Sequence, residues 1–210
     1  MKAESPTGHV EMPPDDPALV WRPARAAPPL GPGDLHLWRI ETARGEETGQ
    51  GLPPLAALAS CLAILDQGQQ GRAGRMGKAA YRERWVRAQA GLRWILGLYL
   101  QVDPGRLVFQ RGAMGKPGLD PRLRMPGGAR LEFNLTTTAD IALVGISLES
   151  PLGVDCERVR PRREMMAVAR RMFAPPTVAE LTRLPELRRL AAFYRAWTAL
   201  ESDAKADGRG

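Results

Sequence analysis

Two long stretches of helical periodicity, separated by short strand patterns, place the strongest limit on how this 210-residue chain can fold. Residues 79–100 and 186–206 space large apolar side chains about one helical turn apart, which predicts two long amphipathic helices. The strand patterns fall at residues 35–40, 106–110, 130–135, 141–147 and 152–156. Each half of the chain thus offers strands and one long helix. We predict an α+β fold of two similar halves, each with a small, mostly antiparallel sheet packed on its helix.

The remaining segments predict shorter elements. Residues 1–33 hold eight of the 19 prolines and predict a disordered or loosely packed leader. The halves then run over 34–125 and 126–210. The smaller predictions are a helix at 54–65, a loop or irregular helix at 67–77, a Gly/Pro-rich loop at 112–128, a helix at 163–173, and a helix begun by the capping-box pattern Thr177-x-x-Glu180.

Composition excludes several kinds of chemistry. Both histidines, His9 and His36, precede the second half, so a Ser-His-Asp triad is not expected. Two cysteines are too few for a disulfide framework, and a four-ligand zinc site is hard to assemble. No apolar run is long enough for a membrane span or a signal peptide, so we expect a cytoplasmic protein. The net charge of +7 favours partners that are polyanions, such as phosphorylated molecules, nucleic acid or acidic proteins.

Two acidic motifs carry the most chemical information. In Gly153-Val154-Asp155-Cys156-Glu157, a strand would point Asp155 and Glu157 the same way, which suits Mg²⁺. Solvated acids at a strand end are the alternative. Near the C-terminus, Glu201 and Lys205 share a helix face, so they could act as metal ligand or base and as phosphate partner. A surface ion pair is the alternative there.

Three weaker signals could also meet an anion. Lys116 and Pro117 lie in a Gly-Lys-Pro loop that lacks the P-loop spacing, and a plain surface turn is the alternative. Thr136-Thr137-Thr138 ends a strand in hydroxyl groups, which would otherwise simply cap that strand. A basic set could form a phosphate or nucleic-acid patch or a solvated helix face; it comprises Arg72, Arg75, Lys78, Arg82, Arg84, Arg87 and Arg93.

The order of these motifs resembles the 4'-phosphopantetheinyl transferase superfamily. Gly-Lys-Pro is followed by Phe-Asn-Leu, then by Gly-Val-Asp-x-Glu, and finally by Trp-Thr-x-x-Glu-x-x-x-Lys. The resemblance is to the longer, pseudo-dimeric type found with polyketide and nonribosomal peptide synthesis. It implies two α/β halves with coenzyme A between them. It also implies transfer of the phosphopantetheine arm to a carrier-protein serine, with release of 3',5'-adenosine bisphosphate.

The resemblance also implies residue roles. Asp155, Glu157 and Glu201 match the acids that hold Mg²⁺, and Glu201 also matches the proposed base. Lys205 matches a lysine that contacts phosphate. The positions implied to contact coenzyme A are Arg75, Lys78, Lys116, Pro117, Thr136, Thr137 and Lys205.

Four departures qualify this expectation. Thr137 stands where the family usually has histidine, Leu200 replaces a usual lysine, Gln89 stands where a basic residue is frequent, and the chain ends at Gly210, where relatives usually continue. We therefore expect a truncated second half. Three functions remain open: an active monomeric transferase, a degenerate homologue that binds coenzyme A or a carrier without transfer, and, least favoured, a basic nucleic-acid-binding protein. The last lacks any recognisable nucleic-acid-binding motif.

Overall fold

The structure is a computed structural model that describes residues 21–43, 57–112 and 115–209. The described chain contains five strands and six α-helices. In chain order these are β1 (Leu35–Glu41), α1 (Leu58–Ala63), α2 (Gln67–Gly74), α3 (Ala79–Leu100), β2 (Phe109–Arg111), β3 (Pro117–Leu119), β4 (Leu131–Thr138), β5 (Ile141–Leu148), α4 (Met165–Met172), α5 (Pro175–Arg183) and α6 (Glu186–Ala206). The α+β class is confirmed, as are both long helices with the bounds that their periodicity predicted.

The larger sheet has three antiparallel strands in the order β1-β5-β4. Alternation in β5 buries Ala142, Val144 and Ile146 completely, and β1 and β4 pair on either side of it. Ala139 makes the tight turn between β4 and β5 with a φ of 46°. Helix α3 packs against β1 and β5, and from Val86 onward it buries residues on more than one face, Arg93 among them, while Tyr81 in its first turn is exposed.

Two hydrophobic clusters divide the molecule. The first joins the sheet to α1, α2 and α3, and the second joins α4, α5 and α6 around Phe193. Phe193 is completely buried and contacts Phe173, with ring centroids 5.5 Å apart. Strand β1 pairs with β5 across the boundary predicted after residue 125. That boundary, the twofold relation of the halves and the truncation stay predictions.

The strand predicted at 106–110 is partly wrong. Pro104–Arg106 forms a 3-10 turn, in which the Asp103 carboxylate accepts a hydrogen bond from the backbone N–H of Gly105. The strand starts only at Phe109, and it pairs with β3. This partner lies within the loop predicted at 112–128, because Gly115, with a φ of 85°, allows the chain to reverse there.

Three other local predictions differ from the structure or are tested only in part. Of the two alternatives predicted at 67–77, a loop or an irregular helix, the structure has a helix, since Asp66 and Gln69 form a capping box that starts α2. No capping box starts at Thr177, because prolines 175 and 176 occupy the first turn of α5 and Thr177 is buried within it. The helix predicted at 54–65 is observed only as α1, and residues 51–56 lie outside the described residues, as do residues 1–20 of the predicted leader.

Residues 152–156 were expected to form a strand, and that prediction is wrong. The segment has no regular secondary structure. Instead of pairing backbone to backbone with β4, it is hydrogen-bonded by β4 side chains: the backbone N–H of Val154 donates to Asn134 Oδ1 at 2.9 Å. We call residues 152–157 the carboxylate loop, because they carry Asp155 and Glu157.

Candidate active site

An open cavity of about 430 Å³ lies where the end of β4, the carboxylate loop and one face of α6 meet. Its lining brings six of the predicted site residues together. The residues that line it are Leu135, Thr136, Thr137, Asp155, Cys156, Glu157, Trp197, Glu201 and Lys205. The two acidic motifs, 40 and more residues apart in the sequence, therefore face one space.

Strand β4 holds one side of the carboxylate loop through alternate side chains. Asn134, Thr136 and Thr138 share a face because strand side chains alternate. Thr136 Oγ1 donates to Asp155 Oδ1 at 3.1 Å, and the backbone N–H of residue 158 donates to Thr138 Oγ1 at 3.0 Å. Sequence reasoning missed the role of Asn134. The signal was a polar residue between the apolar Phe133 and Leu135 in a buried strand.

Helix α6 holds the other side of the loop. A Cβ atom on Gly153 would lie 1.9 Å from the carbonyl oxygen of Ser202 and 2.6 Å from the backbone nitrogen of Ala206. No side chain fits in that space, so only glycine lets the loop backbone touch the helix backbone. The glycine of the Gly-Val-Asp motif is therefore a packing requirement, which places Asp155 two residues later beside α6.

Lys205 joins the two sides of the cavity. Its Nζ lies 2.5 Å from Asp155 Oδ1 and 3.3 Å from Thr136 Oγ1. Glu201 lies one turn earlier on the same face of α6, as the spacing predicted, and Trp197 lies one turn before that. The Asp155 side chain is only 7% exposed and that of Lys205 is 23% exposed, so this ion pair is largely withdrawn from water.

Asp155 keeps one oxygen without a donor. Its Oδ2 atom is buried and has no hydrogen-bond partner among the described residues. A buried acceptor without a donor is costly, and a bound cation would satisfy it. No three acidic, histidine or cysteine side chains in the described segments are already gathered closely enough to hold a metal ion. Asp155, Glu157 and Glu201 nevertheless line the same cavity, and carboxylate oxygens are the donor type that suits a hard cation such as Mg²⁺.

Cys156 also lines the cavity. Burial raises the pKa of its thiol; Asp155 and Glu157 raise it further, while Thr136 and Lys205 oppose the shift. The thiol therefore stays protonated at neutral pH, and a protonated thiol is a poor nucleophile. This favours a chemical role for the carboxylates and Lys205 over one for the thiol.

Four predicted residues do not line this cavity. Arg75 follows the last turn of α2, and Lys78 precedes α3 with its Nζ 5.7 Å from the ring centroid of Tyr81. Pro117 begins β3, and the Lys116 ammonium is hydrogen-bonded to backbone carbonyls. Contact of these residues with coenzyme A stays a prediction.

Carboxylates that fit a divalent cation, with a lysine beside them, are typical of enzymes that transfer phosphorus-containing groups. Residues 151–210, which include the carboxylate loop and α6, match the family model described as the 4'-phosphopantetheinyl transferase superfamily.

Individual relatives agree with that match. The chain is 33% identical over 191 residues to the 4'-phosphopantetheinyl transferase HetI of a Nostoc species, which covers 91% of this chain and 76% of HetI. It is 34% identical over 97 residues to the 4'-phosphopantetheinyl transferase AcpT of Salmonella typhi, covering 46% of this chain and 47% of AcpT. For AcpT of Escherichia coli K12 the identity is 31% over 127 residues, 60% of this chain and 58% of the relative. The chain belongs to the 4'-phosphopantetheinyl transferase superfamily and is an enzyme of that family, as its motif order predicted.

Proposed function

We propose that this enzyme transfers the 4'-phosphopantetheine arm of coenzyme A to a serine hydroxyl of an acyl or peptidyl carrier protein, with Mg²⁺ as cofactor. The observation that carries the proposal is the cavity in which Asp155, Glu157, Glu201 and Lys205 meet, within the segment that matches the family. Phosphoryl transfer needs positioning and neutralisation of charge more than covalent catalysis, and these side chains supply both.

In the proposed reaction, the serine oxygen forms a bond to the phosphorus that carries the pantetheine arm. The bond from that phosphorus to the bridging pyrophosphate oxygen breaks, and 3',5'-adenosine bisphosphate leaves with the electron pair. Glu201 accepts the serine proton, because the second half of the chain has no histidine for that task. Lys205 keeps a positive charge beside the transferred phosphate. Asp155, Glu157 and Glu201 would hold Mg²⁺, which when bound neutralises pyrophosphate charge.

The positive charge of the chain supports an acidic macromolecular partner. A net charge of +7 would steer an acidic carrier protein toward the enzyme. The resemblance to the longer type favours carriers of polyketide or nonribosomal peptide synthesis and a monomer, and we propose a cytoplasmic location from the apolar pattern of the sequence. None of the helices in the described residues is long and apolar enough to cross a membrane.

The experiment is intact mass spectrometry of an apo carrier protein incubated with this enzyme, coenzyme A and Mg²⁺. We expect a mass increase of one phosphopantetheine group, which disappears with EDTA and with Glu201→Gln. Asp203→Asn is the matched control, because Asp203 is an exposed acid on the same helix that does not line the cavity.

Two outcomes would contradict the proposal. Full activity of Glu201→Gln would show that the acid assignment is wrong. A folded enzyme that modifies none of several acyl and peptidyl carriers would favour the degenerate homologue. Two substitutions favour that second candidate, namely Thr137 at the usual histidine position and Leu200 at the usual lysine position. Isothermal titration with coenzyme A would then test whether binding remains.

A further inference from the structure

We propose that Lys116 is a positioning residue, which fixes the start of the carboxylate loop against the end of α6, and that it is not a ligand of a coenzyme A phosphate. This inference rests on the proposed function, since it assigns the loop to metal binding. It replaces the role that the motif resemblance implied for Lys116.

The contacts of the Lys116 ammonium carry the inference. Nζ donates to the carbonyl oxygen of Leu152 at 2.8 Å and to that of Ala206 at 3.2 Å. Leu152 is the first residue of the carboxylate loop, and Ala206 is the last residue of α6. Carbonyl groups in the last turn of a helix lack partners within the helix, and a cation there also interacts favourably with the helix dipole. One side chain therefore joins three segments that are distant in sequence.

The described residues next to Lys116 are hydrogen-bonded to one another. The backbone N–H of Gly112 donates to the carbonyl oxygen of Lys116 at 2.9 Å, and the N–H of Gly115 donates to the carbonyl oxygen of Gly112 at 2.8 Å. Pro117 follows directly and pairs with Arg111 in the small sheet. A lysine on a restrained turn loses less conformational freedom when it forms its hydrogen bonds than one on a flexible loop.

The electrostatic surroundings agree with this structural role. Lys116 is half-buried, and burial lowers the pKa of its ammonium group, while the nearby charges of Glu132 and Asp207 oppose that shift. A lysine has three N–H donors, and two of those on Lys116 are used by backbone carbonyls. The residue also does not line the cavity that holds Asp155 and Lys205. Its ammonium group is thus directed at two backbone carbonyls that do not line the cavity.

Lys116 can affect the site through the carboxylate loop, because its partner Leu152 is close to Asp155 along the chain. Four sets of contacts hold the carboxylate loop: the side chains of β4, the backbone contact of Gly153 with α6, Lys205 at Asp155, and Lys116 at the loop's first residue. Mg²⁺ demands near-ideal octahedral geometry, so its ligands must be held closely in place. Loss of the Lys116 contacts should release the first residue of the loop and impair metal binding more than coenzyme A binding.

The test compares the full-length wild type with Lys116→Met, which keeps the length of the side chain but removes the donors. Lys116→Gln, which keeps one shorter donor, is the second variant. Arg124→Met is the matched control, because Arg124 is an exposed cation that donates to a backbone carbonyl, that of Pro121, away from the carboxylate loop. Three quantities are measured: hydrogen exchange of peptide 150–158, Mn²⁺ affinity by electron paramagnetic resonance with saturating coenzyme A, and coenzyme A affinity in EDTA.

We expect Lys116→Met to speed exchange of peptide 150–158 by about tenfold. We expect it to weaken Mn²⁺ binding by about ten- to a hundredfold, with coenzyme A affinity in EDTA within about twofold of the wild type. Lys116→Gln should lie between these values, and Arg124→Met should match the wild type. If Lys116→Met does not fold, the comparison of Lys116→Gln with the wild type decides the question by the same criteria.

Two results would overturn the inference. A loss of coenzyme A affinity with unchanged exchange and unchanged Mn²⁺ affinity would make Lys116 a ligand after all. A lower melting temperature with both measurements unchanged would make it a general structural residue. None of these measurements needs a carrier protein. A wild type that modifies no carrier would therefore contradict the proposed function. The exchange of peptide 150–158 would still decide whether Lys116 holds the carboxylate loop, even if no Mn²⁺ bound.

Discussion

Two charge clusters of this molecule, each with one largely buried member, differ in how completely their hydrogen bonds are satisfied. In the first core, the completely buried Arg93 donates from Nε to Gln69 Oε1 at 2.6 Å and from Nη1 to the carbonyls of Pro104 and Leu107, and it pairs with Asp66 through Nη2. In the cavity, Asp155 Oδ1 accepts from Lys205 and Thr136, but Asp155 Oδ2 has no donor among the described residues.

The difference separates a structural charge from a functional one. Buried charges are costly unless they are paired and hydrogen-bonded, so the Arg93 cluster is complete as it stands. It ties α2 and α3 to the segment before β2. In the cavity cluster, Asp155 Oδ2 is an acceptor without a donor among the described residues, and the carboxylates of Glu157 and Glu201 line the same cavity. A mutation in the first cluster should therefore reduce stability, and one in the second should reduce activity.

The largest expected effect is that of Asp155→Asn on transfer. Removal of a ligand charge should cost several kcal/mol in the transition state, which is about a thousandfold in rate. Since Lys205 keeps 23% exposure to water, we expect the free energy of unfolding to fall by only about 1 to 2 kcal/mol. The carrier mass assay and urea unfolding measure the two quantities. Unchanged activity of Asp155→Asn would show that the cavity cluster does not have the functional role that separates it from the Arg93 cluster.

Arg93→Met should show the opposite pattern. It removes the guanidinium hydrogen bonds to the carbonyls of Pro104 and Leu107 and the ion pair with Asp66, so we expect a loss of about 3 kcal/mol in the free energy of unfolding. At a temperature where the variant is folded, transfer should match the wild type. Arg84→Met is the control on the same helix: its ion pair with Asp140 is half-exposed, and its loss should cost less than about 1 kcal/mol.

Equal destabilisation by Arg93→Met and Arg84→Met would show that burial of the arginine does not decide its contribution, since Asp66 and Asp140 are about equally exposed. Loss of transfer in folded Arg93→Met would show that the first cluster also supports the site. Urea unfolding followed by tryptophan fluorescence gives the stabilities.

The two thiols extend the comparison between the first core and the cavity. Cys61 is completely buried in the first core, and Cys156 is half-buried in the cavity wall; burial raises the pKa of both thiols. The thiolate is the reactive form, so alkylation of the folded enzyme should be slow at neutral pH and faster as the pH rises toward the raised pKa of Cys156. We expect iodoacetamide to modify Cys156 before Cys61 in intact mass spectra.

Coenzyme A should slow the alkylation of Cys156, since its thiol faces the cavity that the proposal assigns to the substrate. Cys156→Ser is the control and should show no early modification. Equal rates for both thiols in the folded enzyme would contradict the difference in burial.

Local pattern predicted what depends on a single helix or strand. The periodicity of 79–100 and 186–206 gave both long helices, and the i, i+4 spacing placed Glu201 and Lys205 on one face. The carboxylate loop was mistaken for a strand, because its apolar residues also suit a segment that β4 side chains and Gly153 hold in place. The same limit applies to Lys116, whose partners lie 36 and 90 residues away in the sequence, at distances that spacing does not reveal.

The smallest expected effect is that of Thr137→His on coenzyme A binding. Thr137 is exposed and lines the cavity, where histidine is usual in the family. An imidazolium there could donate to phosphate, so we expect binding to tighten by about two- to fivefold. The gain should be larger near pH 6 than near pH 8, since unperturbed histidine is protonated below about 6.5. Thr137→Gln, a neutral donor, is the control for isothermal titration. An unchanged or weaker affinity at both pH values would show that the threonine makes a phosphate contact of its own.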